Sequence, residues 1–184
     1  MDSRAATMRT ALIIVDMMNT LDFPEGAVLA RRAAPVARRI ARLRHRFYAR
    51  KMPVVYANDN FGEWHMDFRE LVDRCAQGPG RGLVEVLRPG DTDYYVLKPR
   101  HSAFFDTPLP MLLAQLRVAR VVLCGIATDV CILASAIDGY MRGYSVVVPA
   151  DCVQAETASR NASALKVMRD SFSVTTLESR HLRL

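Results

Sequence analysis

Three side chains in this chain have the types and positions to do covalent chemistry together. Asp16 follows directly on the apolar run "ALIIV", Lys98 ends "YYVLK", and Cys131 comes six residues after "RVVLCG" in the turn "GIATDVC". A carboxylate at the end of an apolar strand is partly desolvated, which raises its pKa toward the range useful for proton transfer. A thiol in the first turn of a helix, with a cation nearby, is expected to lose its proton more readily and to act as a nucleophile. Lys98 would supply that cation and orient the acid. Each residue also has a plain structural reading: a cap or ion-pair partner for Asp16, a strand-end lysine reaching to solvent for Lys98, an inert core thiol for Cys131. Taken together they make an Asp–Lys–Cys set suited to attack on a carbonyl. Asp16 would take the thiol proton and return it to a leaving amine, and free backbone N–H groups at the start of the next helix would hold the oxyanion.

For these residues to meet, the elements that carry them must be parallel strands of one sheet. The apolar runs 11–15, 53–58, 94–98, 120–125, 144–150 and 173–177 read as six strands. They alternate with helical stretches at 26–52, 108–119, about 129–143 and 156–172. The strands show little apolar–polar alternation, as expected of strands buried on both faces. Repeated strand–helix units with right-handed crossovers give an α/β fold, a three-layer αβα sandwich around a six-stranded parallel sheet with helices on both faces. Ligands of such sheets bind beyond the carboxyl ends of the strands, where Asp16, Lys98 and Cys131 all fall. The whole chain, 1–184, reads as one domain.

The segment from Asn58 to Gly90 is the least regular, with Gly62, Gly78, Pro79, Gly80, Gly82 and the single tryptophan, Trp64. An irregular stretch of this length in a compact domain is often functional. Phe23, Asn58, Phe61 and Trp64 are the candidates for a substrate pocket, with ordinary packing as the alternative for each.

The remaining composition mainly excludes. Cys75, Cys124, Cys131 and Cys152 form no CxxC pair and three lie in or beside apolar runs, so reduced thiols and a cytoplasmic location are expected. The four histidines are scattered without metal-ligand spacing. No apolar run approaches the ~20 residues of a membrane span, and from the polar start "MDSRAATMRT" no signal peptide is expected, nor a membrane partner. The net charge of +6 comes largely from the arginines between Arg31 and Lys51. Val36, Ile40, Leu43 and Phe47 supply a buried stripe there, so the arginines read as a solvated helix face and no nucleic-acid partner is expected. Pro35 is a foreseeable irregularity in that helix.

Against this background the chain resembles the isochorismatase-like cysteine hydrolases, which include nicotinamidases, N-carbamoylsarcosine amidohydrolases and ureidoacrylate amidohydrolases. The resemblance runs through "ALIIVDMMN", "VLKPRHSAFFDTPL" and "VVLCGIATDVCILASAIDGYMRGYSVVVPADCVQA". It implies Cys131 as nucleophile, Asp16 as general acid/base and Lys98 as third member. It also implies a cis peptide between Ile126 and Ala127 that aims the N–H groups of Ala127 and Cys131 at the oxyanion. It further implies a homo-oligomer acting on a small-molecule amide. Two departures stand out. Met18 replaces a glutamine common after the first acid. The exit of the second strand, "NDNFGEWHMDF", offers Asp59 and His65 but not the ligand set of metal-dependent nicotinamidases, so no metal or other cofactor is expected. The cysteine favours amide chemistry. Vinyl-ether hydrolysis with Asp16 as the acid is the alternative reaction, and a non-catalytic binding member is the alternative outside enzymology.

Overall fold

The computed structural model describes residues 9–184; most of the N-terminal stretch read above as lacking a signal peptide lies outside the described residues. The chain alternates strand and helix: β1 (Thr10–Val15), α1 (Gly26–Tyr48), β2 (Val54–Asp59), α2 (Phe68–Gln77), α3 (Arg81–Leu87), β3 (Tyr94–Lys98), α4 (Leu109–Gln115) and β4 (Arg120–Ile126). A π-helical turn (Thr128–Ile132) then leads into α5 (Leu133–Met141), followed by β5 (Ser145–Pro149), β6 (Val153–Gln154), α6 (Ala158–Phe172) and β7 (Thr175–Leu177). The order β3–β2–β1–β4–β5–β7 is parallel throughout, with β6 paired to β4.

Side-chain alternation divides the core between the two faces of the sheet. From β1, Leu12 and Ile14 pack with Leu29, Ile40 and Phe47 of α1 and with residues of α2 and α3. Ala11, Ile13 and Val15 pack on the other face with Leu113 of α4, Ala136 of α5 and Met168 of α6. All six β1 residues are buried, because helices cover both faces.

The sheet holds the six expected strands and a seventh, β6. β5 pairs only with the first half of β4, through Arg120–Val122, and the two-residue β6 takes the other end, Val153 and Gln154 lying beside Gly125 and Ile126. Two residues carry no readable periodicity, so β6 is invisible in the sequence, yet it braces the end of β4 from which the Cys131 turn departs. At that point β4 passes very close to β1. Gly125 has φ +125°, and a Cβ there would sit 2.0 Å from the Val15 carbonyl oxygen, so only glycine fits.

Three expectations need correction. The segment 58–90 is mostly helical: Asp67 accepts from the backbone N–H groups of Arg69 and Glu70, and Glu70 reaches back to the Asp67 N–H, a capping box that starts α2. Cys75, unplaced by sequence, is buried on α2. Pro35 does not interrupt α1, because one lost backbone bond is outweighed by a buried face running from Leu29 to Phe47. Nor are all the α1 arginines on the solvent face. Arg44 is buried and donates to the Tyr56 hydroxyl and to the Leu87 and Arg88 carbonyls. No helix among the described residues is long and apolar enough to cross a membrane.

Candidate active site

β1 ends at Val15, and Asp16 turns out of the strand with φ +53°, a left-handed conformation that aspartate tolerates better than most residues. Its backbone N–H still donates to the Ala57 carbonyl at 3.0 Å, so the turn is anchored to β2. The carboxylate then points across the sheet edge. Its Oδ1 accepts the Asp59 N–H at 2.8 Å and its Oδ2 lies 2.8 Å from Lys98 Nζ. Lys98 is fully buried, an unusual place for an ammonium unless it is paired. It also lies 3.6 Å from Asp59 Oδ2 and donates to the Arg100 carbonyl at 3.3 Å.

Cys131 approaches from the β4 side. The Ile126–Ala127 peptide is cis, and the Ala127 carbonyl accepts from the Val130 and Ile132 N–H groups at 3.1 and 3.2 Å, closing the wide turn that carries the cysteine. Ser135, one turn along α5, donates to the Cys131 carbonyl at 2.7 Å and accepts the Ala103 N–H at 2.9 Å, which ties the segment after Lys98 to the cysteine. The Sγ atom lies 3.5 Å from Lys98 Nζ, and Asp16 is near enough to act on the thiol electrostatically. The structure thus gathers Asp16 and Cys131 around the Lys98 ammonium.

The electrostatics differ from the sequence expectation of a depressed thiol pKa. Burial and the Asp16 carboxylate push the Cys131 thiol up to about 12, against the opposing pull of Lys98. Burial is the largest cause, and the repulsion of the nearby Asp16 carboxylate offsets the attraction of the Lys98 ammonium for a thiolate. Burial raises the Asp16 pKa against the pull of Lys98. Burial acts against the Lys98 ammonium, but the neighbouring Asp16, Cys131 and Asp59 outweigh it and hold its pKa above the ordinary value. The resting site is therefore an ion pair beside a neutral thiol.

A cleft of about 780 Å³ opens beside this set, lined by Asp59, Trp64, Arg100, His101, Phe105 and Asp106 among others. Trp64, 77% exposed, stands on its wall, while Phe23 and Phe61 are exposed outside it. Asn58 is not a pocket residue. It is completely buried, and its amide accepts from the Met18 N–H at 3.2 Å and donates to the Met18 carbonyl at 2.5 Å, clamping the chain just past Asp16. Two site residues carry no role that the sequence alone suggests. Asp59 aims Asp16 through its N–H and shares Lys98 through its carboxylate. His101 places Nδ1 3.8 Å from Cys131 Sγ. Its only signal in the sequence is its position three residues after Lys98. His65 lines a separate groove with Glu63 and Glu70, apart from the Asp59 cleft. Among the described residues no three His, Cys, Asp or Glu side chains converge as a metal-binding group.

Comparison with known proteins agrees with this architecture. Residues 10–179 match the isochorismatase domain family. The uncharacterized isochorismatase family protein YaaI of Bacillus subtilis is 35% identical over 160 residues, covering 87% of this chain and 88% of that protein. The ureidoacrylate amidohydrolase RutB of Methylorubrum extorquens is 31% identical over 193 residues, covering 89% and 77%. Among solved structures, an isochorismatase family protein from Desulfovibrio vulgaris superposes with a TM-score of 0.77 at 26% identity, over 95% of this chain and 96% of that one.

Proposed function

The chain belongs to the isochorismatase family, and from this premise we propose that it hydrolyses the C–N bond of a small amide or carbamoyl compound, with Cys131 as nucleophile. The observation that carries the reading is the buried Lys98 ammonium, held 3.5 Å from Cys131 Sγ and 2.8 Å from Asp16 Oδ2 at the edge of an open cleft. The 31% identical relative named as an amidohydrolase supports the same bond type.

The chemistry follows from the resting charge state. A neutral thiol is a weak nucleophile, so its proton must leave as the S–C bond forms. Asp16, held beside the thiol by Lys98, takes that proton, and Lys98 balances the charge that moves onto sulfur. The N–H groups of Ala127 and Cys131 serve as donors to the tetrahedral oxyanion. When the C–N bond breaks, Asp16 passes the proton to the leaving nitrogen and a thioester to Cys131 remains. Water then cleaves the thioester and restores the thiol. In this scheme Lys98 never leaves its ion pair; it keeps a carboxylate charged in a buried place where burial alone would neutralise it.

The test is ammonia release from a panel of small carboxamides, carbamoyl compounds and ureides, with wild type beside Cys131→Ala. Release that disappears in the variant supports the reading. Release that persists in the variant, or turnover of isochorismate alone by both proteins, overturns it.

A further inference from the structure

The scheme above makes no use of the histidine beside the thiol. His101 lies in the segment after β3, and its Nδ1 is 3.8 Å from Cys131 Sγ. The residue is exposed and lines the cleft, whereas Asp16 and Lys98 are closed in beneath it. Sγ therefore has two kinds of polar neighbour. Beneath it are Asp16 and Lys98, already bonded to each other. On the side that water reaches is an imidazole.

That division matches two half-reactions with different demands. Acylation needs a group that takes the thiol proton and passes it to the leaving nitrogen, and Asp16 is in place for that. Deacylation needs a base for a water molecule arriving through the cleft. Asp16 is poorly placed to meet that second demand, since it is 5% exposed and does not line the cleft through which the water arrives. Among the described residues, the charged groups that line the cleft with His101 are Asp59, Arg100 and Asp106. Asp59 is engaged by Lys98 and by the Phe61 N–H, and Arg100 cannot act as a base. Histidine is the side chain whose ordinary proton affinity suits it to both directions of transfer near neutrality.

We propose that His101 is the catalytic base of the deacylation half-reaction, an inference that rests on the thioester reading above. Water attacks the thioester carbonyl carbon as its proton passes to Nδ1. The C–S bond then breaks, the carboxylic acid is released, and the imidazolium returns the proton to the departing sulfur 3.8 Å away. Thiol and neutral imidazole are regenerated, and no other reactant is required.

The test uses p-nitrophenyl acetate, which acylates a reactive cysteine and releases a coloured alcohol. It is followed by stopped flow and by intact mass for wild type, His101→Gln and Cys131→Ala. The expected result for His101→Gln is a burst of about one equivalent at the wild-type rate, then steady turnover slowed by about 100-fold, with the acetyl adduct persisting on the protein. The preserved burst shows that the site is folded. Added hydroxylamine, which needs no base, is expected to restore turnover. Wild-type steady turnover in His101→Gln, or loss of burst and turnover in equal measure, overturns the assignment while leaving Cys131 as nucleophile. A wild-type burst that is absent, or that survives in Cys131→Ala, overturns the cysteine reading and this inference with it.

Discussion

Replacing Lys98 by methionine tests the electrostatic design of the site without touching the thiol. Methionine keeps most of the apolar stem and removes the charge. Asp16 then loses its 2.8 Å partner and is left buried with only the Asp59 N–H. Removing one member of a buried pair costs about 3–5 kcal/mol, because the other charge stays desolvated. The lower end, about 3 kcal/mol, is expected here: one hydrogen bond to Asp16 survives, and the Asp59 side chain, 33% exposed, keeps water. The loss should depend on pH. Burial already raises the Asp16 pKa from 3.8, and Lys98 is the largest influence opposing it, so the variant's Asp16 moves further up. A carboxyl whose folded-state pKa lies above its unfolded value contributes stability that is present below the unfolded pKa and lost as pH rises through the folded one. The deficit of Lys98→Met relative to wild type should therefore be greatest at about pH 8 and shrink toward about pH 4. Urea unfolding of both proteins across that range measures it, and adding Asp16→Asn should recover much of the loss. A deficit below about 1 kcal/mol, the size of a surface ion pair, or one independent of pH, would refute the reasoning.

Two further outcomes follow from the same geometry. Asp16 is among the influences that push the Cys131 thiol up to about 12, so Asp16→Asn should make Cys131 more reactive toward iodoacetamide in mildly alkaline buffer while abolishing hydrolytic turnover; slower alkylation than wild type would contradict the repulsion assigned to Asp16. Asn58→Ala should cost about 2–3 kcal/mol in thermal or urea unfolding, since two buried bonds to the Met18 backbone are lost and their partners left unpaired, and kcat/KM should fall as the chain beyond Asp16 loosens.

The parts of the site that can be read from sequence are those fixed by strand ends. Asp16, Lys98 and Cys131 each follow an apolar run, and a parallel sheet has one carboxyl edge, so their convergence is a consequence of topology. What cannot be read depends on contacts between distant segments. Asn58 sits at the same kind of strand end, but its amide turns inward to Met18, 40 residues away in sequence. The charge state of Cys131 depends on how deeply the thiol is buried and on its closeness to Asp16, which only the packed fold sets. His101 lies in a loop, where periodicity carries no information. The helices α2 and α3 are hidden by their glycines and the proline, although "DFRE" holds a usable start signal in the Asp67 and Glu70 capping box.

Covalent catalysis by Cys131 is tested most directly by quenching the protein during turnover of whichever panel compound releases ammonia and mapping the modified peptide by mass spectrometry. The expected product is an acyl group derived from that compound, labile to hydroxylamine, on the sulfur of Cys131. Steady ammonia release with Cys131 unmodified under every quench, and undiminished in Cys131→Ala, would contradict it.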